Sequence, residues 1–238
     1  MSITHSFTRL LGQIIRPHRS GVEVLEKLGK STLERKYTMQ NLLAIQVSPR
    51  PEGSISRSLT SLFVDEWRAA HPDGIVVVRD LSVTPPPFVD MQWIMGAYTP
   101  TKTHSPAVAA SIKNSNDLIA ELQAADHIVI GTPMFNFSIP AVLKAWIDQV
   151  VRVGVTVSAD NVGLLTGKQA TIILATGGNF SPGSPVEAYN LASGYLRQLF
   201  GWMGIKDVEI ILADRANAGA NGETAVKAFG APILAAAA

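Results

Sequence analysis

An α/β fold with a doubly wound, five-stranded parallel sheet is what this sequence predicts, on three observations. From Met39 onward, short uninterrupted apolar runs alternate with longer amphipathic patterns. The apolar runs leave no room for a solvent face, as expected of parallel strands covered by helices on both sides. No repeat or linker-like stretch divides residues 39–238, so one domain with right-handed crossovers is expected there.

The elements follow in order. Strands are expected at Leu42–Val47, Ile75–Val78, His127–Gly131, Ala170–Ala175 and Val208–Ala213. Between the first two, Ser56–Ala70 places Leu59, Leu62, Phe63 and Trp67 on one helical face, and His71-Pro72-Asp73-Gly74 stops it. The proline-rich stretch from Ser82 to Pro106 reads as irregular, and loops of that length usually serve a function. It is expected to edge the active site or a dimer contact. Helices are then expected at Asp117–Ala125, at Ala141–Val153 with Leu143, Trp146 and Ile147 together, and at Tyr189–Gly204. A last helix spans Glu223–Leu234, with Ala235–Ala238 fraying.

Residues 1–38 differ. Met1–Ser20 carries Arg9, Arg16 and Arg19 without an acid, among apolar residues such as Phe7, Leu10 and Ile14. A transit-peptide pattern, a disordered basic tail and a start assigned upstream of Met39 all suit this composition. The expectation is a dispensable extension.

Composition excludes several classes. With 238 residues, 47% of them hydrophobic, the chain can bury a full core. A net charge of +1 offers no electrostatic reason for a nucleic-acid or membrane partner. The absence of cysteine excludes disulfides and thiolate catalysis and suits a cytoplasmic enzyme. The five histidines (His5, His18, His71, His104, His127) show no metal-ligand spacing, so no metal site is expected. No residue set resembles a nucleophile with its base.

Three segments follow strands and should share the sheet's carboxyl rim, where open α/β sheets bind ligands. The first is Ser48-Pro49-Arg50-Pro51-Glu52-Gly53-Ser54-Ile55-Ser56. Serines at a helix N-terminus, with free backbone N–H groups, can cradle a phosphate. Capping alone is the plainer reading, but it needs only one serine. Glycine is too scarce for a dinucleotide loop and the lysine of a nucleoside-triphosphate loop is missing, so a terminal phosphate held by neutral donors fits better. Arg50 and Arg57 either assist or are simply solvated. The second segment, Pro133-Met134-Phe135-Asn136-Phe137-Ser138-Ile139-Pro140, surrounds one amide with apolar groups and suits a flat, hydrogen-bonding ring, or else a turn with core aromatics. Lys144 and Asp148 after it have the spacing of a surface ion pair. The third, Ala175-Thr176-Gly177-Gly178, allows close backbone approach to a ligand or merely turns the chain.

Taken together, the pattern resembles the FMN-dependent NADH:quinone oxidoreductases and azoreductases of flavodoxin-like fold. The likeness rests on Ser48-Pro49-Arg50 with Ser54 and Ser56, on Arg79-Asp80-Leu81, and above all on the run from Pro133 through Asp148. Gly163-Leu164-Leu165, Gly177-Gly178 and Tyr195-Leu196-Arg197 add to it. The resemblance implies a sheet in the order 2-1-3-4-5 and a homodimer with one FMN per subunit. It implies Ser48, Ser54, Ile55 and Ser56 at the phosphate, Met134, Phe135, Asn136 and Phe137 at the isoalloxazine ring, and Ala175, Thr176, Gly177 and Gly178 beside its pyrimidine edge. NADH or NADPH would give a hydride to the flavin and leave, and a quinone or azo compound would then be reduced.

Two departures stand out. Thr176 stands where the family usually shows an arginine or another polar residue, and Val155-Thr156-Val157 replaces a Lys-Thr-Phe segment with a nearby tyrosine. Those aromatics line the substrate side in the family, so their loss bears on azo-dye activity more than on FMN. Two other classes compete with the oxidoreductase. A flavodoxin-like electron carrier is typically acidic, unlike this chain. A phosphodiester hydrolase wants metal ligands or a positioned acid–base pair, and neither is visible.

Overall fold

A computed structural model describes residues 40–215 and 222–238. The expectations for residues 1–38 lie outside them. Five strands, β1 (Asn41–Gln46), β2 (Ile75–Asp80), β3 (His127–Pro133), β4 (Gln169–Ala175) and β5 (Asp207–Ala213), form one sheet in the order β2-β1-β3-β4-β5. All four pairings are parallel. Both the doubly wound architecture and the strand order agree with expectation.

Alternate residues of β1, β3, β4 and β5 feed two cores. Leu43, Ile45, Ile128, Ile130 and Ile172 point to one, where Trp146 and Phe200 are buried. Leu42, Ala44, Val129, Ile173 and Ile211 point to the other, with Phe63, Trp67 and Ile233. Burial on both faces is why these four strands lack polar alternation. The edge strand β2 departs from that expectation, since Ile75, Val77 and Val78 are exposed.

The first helix, α1, runs Ile55–Ala70 with Ser54 as its N-cap. It ends at His71, whose N–H bonds Trp67 O at 2.9 Å. Gly74 then turns against the Trp67 ring, where a Cβ would come within 2.5 Å. Its N-terminal half presses on β3 at Gly131: a Cβ there would stand 2.0 Å from Thr60 Oγ1 and 2.9 Å from Ser56 O. Glycine thus sets how close the mouth of α1 comes to the sheet.

The stretch 82–106 is not irregular throughout, which corrects the sequence reading. It contains α2 (Met91–Tyr98) and a single 3-10 turn at Thr101–Thr103. Asp90 caps α2 by accepting from Trp93 N at 2.8 Å. Gly96 lets α2 approach the next helix, since a Cβ would lie 2.9 Å from Ile112 Cβ. That helix, α3, spans Pro106–Ala124 and begins well before Asp117, with Ser105 as cap and proline in its first turn. Then come α4 (Ala141–Val150), α5 (Leu191–Trp202) and α6 (Gly222–Ala237). The C-terminal alanines do not fray: Ala237 is buried against the second core.

Candidate functional site

Three loops leave the carboxyl ends of β1, β3 and β4 and meet. Ser48, Ser54, Ile55 and Ser56 of the first, Met134 and Phe135 of the second, and Ala175, Thr176 and Gly177 of the third line one open cleft. Pro49, Arg50 and Pro133 complete it.

The first wall is the mouth of α1. Ser48, Ser54 and Ser56 are all buried. Ser54 Oγ accepts from Arg57 N at 3.4 Å and lies 3.4 Å from Ser56 Oγ. Among the described residues, the N–H groups of Ile55 and Ser56 have no protein partner, as the first turn of a helix dictates. A cluster of free N–H and hydroxyl donors at the positive end of a helix dipole has the chemistry to hold an anion.

Arg57 does not join that cluster, against the expectation that it assists there or is simply solvated. Its guanidinium grips the carboxylate of Asp80 at 2.6 and 3.0 Å, Ser48 O at 2.6 and 2.9 Å, and Ser82 Oγ at 2.7 Å. The Arg57 bond, with help from Ser82, holds the Asp80 carboxyl down at about 2. Arg57 therefore fastens the floor of the serine loop to the end of β2, and its charge is matched. Among the described residues, Arg50 is the cation that lines the cleft.

The second wall begins as an extension of the sheet, with Met134 N donating to Ala175 O at 2.8 Å. Phe135 and Ser138 then exchange N–H···O bonds of 2.9 and 3.0 Å around a two-residue turn. Its central residues, Asn136 and Phe137, have φ of 49° and 69°. Asparagine tolerates this left-handed region, whereas for phenylalanine it costs about 1–2 kcal/mol. Phe137 is held there by neighbours. Its ring lies 5.2 Å from that of Tyr189 and 6.2 Å from that of Phe180, and its carbonyl accepts from Leu191 N at 3.1 Å. Asn136 and Phe137 are exposed at the tip of the turn and lie outside the cleft lining. Lys144 and Asp148 pair on the surface of α4, as expected.

The third wall is Ala175–Gly178. Ala175 and Thr176 are buried. Gly177 faces space, with no protein atom within 4 Å of where a Cβ would stand. Gly178 also lies outside the cleft lining, because it backs onto the Phe180 ring.

A family model for the flavodoxin-like fold matches residues 40–235. Over 191 residues the chain is 44% identical to an FMN-dependent NADH:quinone oxidoreductase 2 of Jannaschia sp., spanning 80% of this chain and 94% of that protein. The chain belongs to the FMN-dependent NADH:quinone oxidoreductase family, on a flavodoxin-like fold.

Other members of the FMN-dependent NADH:quinone oxidoreductase family agree. One from Nostoc punctiforme is 48% identical over 184 residues, 76% of this chain and 90% of its own. The crystal structure of an azoreductase from Bacillus anthracis str. Sterne superposes with a TM-score of 0.74 at 27% identity, covering 84% of this chain and 99% of that one. In this family member, one residue of the rim escaped the sequence reading: Asp214, directly after β5. Thr176 Oγ1 donates to Asp214 Oδ1 at 2.8 Å, and Phe180 N donates to its Oδ2 at 3.0 Å. The signal available in the sequence was an acid at the carboxyl end of a predicted strand, on the same rim as the three loops.

Proposed function

We propose that this chain is an FMN-dependent oxidoreductase that passes two electrons from NADH, or NADPH, to quinones and azo compounds. The observation that carries this reading is the cleft itself. Buried serine hydroxyls and unpartnered helix N–H groups meet an aromatic loop and a glycine-edged loop there, in a chain 44% identical to a relative named for that activity.

The residues suit the cofactor. A phosphate dianion asks for several donors, and Ser48, Ser54, Ser56 and the N–H groups of Ile55 and Ser56 supply them without a buried cation. Met134 and Phe135 offer apolar surface to a ring system, and the turn at Asn136 and Phe137 adds main-chain N–H groups that bond no other described residue. Ala175, Thr176, Gly177 and Gly178 present backbone at its other edge, where Gly177 allows close approach. Bound FMN would supply the chemistry, taking a hydride from the nicotinamide and giving two electrons to the acceptor. The protein's own task is to bind, orient and exclude water.

The reading includes a cytoplasmic homodimer. Lack of cysteine suits a reducing compartment. Along α2, Met91, Ile94, Met95 and Tyr98 recur at helical spacing and are exposed, beside Phe88. Exposed apolar stripes of this kind usually meet a partner. No helix among the described residues is long and apolar enough to cross a membrane.

A visible absorption spectrum of the purified protein tests the proposal. It should be yellow, or become so on adding FMN, and acid should release FMN rather than FAD. NADH should bleach the colour without oxygen, and a benzoquinone should restore it. A colourless preparation that ignores FMN, or a flavin that neither NADH nor NADPH bleaches, would refute it.

A further inference from the structure

β4 and β5 end in register, Ala175 opposite Ala213, so the residues after each strand emerge side by side at the cleft rim. Thr176 N donates to Ala213 O at 3.0 Å, one step beyond the ladder. Asp214 comes next, and its carboxylate gathers donors from most of the facing loop. Oδ1 accepts from Thr176 Oγ1 at 2.8 Å. Oδ2 accepts from Phe180 N at 3.0 Å and from Ser181 Oγ at 2.5 Å. With its amide turned to satisfy both neighbours, Asn179 Nδ2 donates to the same oxygen at 3.1 Å, while its own oxygen accepts from Arg215 Nη2 at 3.0 Å. An ionised carboxylate offers about four acceptor sites, and neutral donors fill them.

We propose that Asp214 is a positioning residue: it holds residues 176–181 in the shape that meets FMN and, through Phe180, braces the turn at Asn136 and Phe137. The inference rests on the FMN reading. Phe180 is the link between the two walls. Its N–H is on Asp214, its ring lies against Gly178 where a Cβ would come within 2.8 Å, and its edge approaches the Phe137 ring. Phe137 needs such support because its backbone is left-handed.

Hydrogen-bond arithmetic separates the replacements. Alanine at 214 removes every acceptor and leaves the Phe180 N–H, the Asn179 amide and two hydroxyls to find others. Asparagine keeps an oxygen for Phe180 and Ser181 and turns its NH2 toward Thr176 Oγ1. That hydroxyl then accepts from the amide and gives its single proton to Gly178 O, already 2.8 Å away. A carboxylate that acts by organising bonds is therefore replaced by its amide and not by a methyl group.

The test is FMN affinity of the apo-protein, read as quenching of flavin fluorescence, with amide exchange at Phe180 measured alongside on the full chain. Asp214→Ala is expected to weaken FMN by about tenfold or more and to speed exchange at Phe180. Asp214→Asn should stay within about 1.5-fold of wild type in both readouts. If Asp214→Ala does not fold, Ser181→Ala deletes one of the four donors, a hydroxyl that lies outside the cleft, and should weaken FMN about threefold with an unchanged melting temperature. Wild-type affinity in a folded Asp214→Ala, or in Ser181→Ala when Asp214→Ala does not fold, overturns the inference. So does an equal loss in the alanine and asparagine variants. A wild-type chain that binds no FMN overturns the functional reading itself.

Discussion

His127 shows what a single buried group contributes. It sits at the start of β3, 8% exposed, with Nε2 2.9 Å from Thr171 Oγ1 and its ring edge-on to Phe63 at 5.2 Å. Burial pushes its pKa from 6.5 down to about 4, so the folded protein holds it neutral. The unfolded chain binds the proton first as pH falls, so stability is full above about 6.5 and declines toward 4. The difference corresponds to about 3 kcal/mol. Urea unfolding at pH 7 and pH 4 should show a smaller acid loss in His127→Gln than in wild type, by roughly that amount. Equal losses would mean that His127 is not the group responsible. The sequence marked His127 as the first residue of a strand and as a histidine without metal spacing, but did not show its contact with Thr171. Likewise the serines, Met134 and Gly177 were readable from residue type and position. The union of Arg57 with Asp80 was not, because it joins residues 23 apart through a turn that only the sheet brings together.

At the scale of elements, α1 matters most to the site, since its first turn supplies the anion donors. Its seat is Gly131. Gly131→Ala would drive a methyl group into Thr60 Oγ1, which itself donates to Ser56 O at 2.8 Å. Overpacking of this kind costs about 1–3 kcal/mol. We expect lower stability in urea and weaker FMN binding together, with part of both recovered when Thr60→Ala is added. Loss of stability with unchanged FMN binding would show that the mouth of α1 does not move. β1, β3 and β4 were readable because they are buried on both faces, β2 because its β-branched run is continuous although exposed, and α1 because its apolar residues keep one face. The helix α2 was hidden by its surroundings. Three prolines precede it, it carries Gly96 in its last turn, and its outer face is apolar where a polar face is the usual cue. Its position depends on Gln149 of α4, fully buried, which accepts from Trp93 Nε1 and donates to Pro87 O, both at 2.8 Å. No local pattern encodes a bond across that distance.

For the whole molecule, the proposed homodimer rests on the apolar stripe of α2. Met91 and Tyr98 are 70% and 71% exposed, seven residues apart on one helical face. Sedimentation should find a dimer at micromolar concentration, and Met91→Glu combined with Tyr98→Glu should give monomers. A monomeric wild-type protein would rule out the homodimer. The order β2-β1-β3 carries a further consequence, for synthesis. β1 leaves the ribosome first, yet its second neighbour, β3, begins only at His127. At about 5–20 residues per second, several seconds pass in which one flank of an oily strand has no native mate. During that wait the nascent polypeptide displays a ready template for wrong pairing, and early shielding of Leu42–Ile45 is as much a condition of yield as any property of the finished fold.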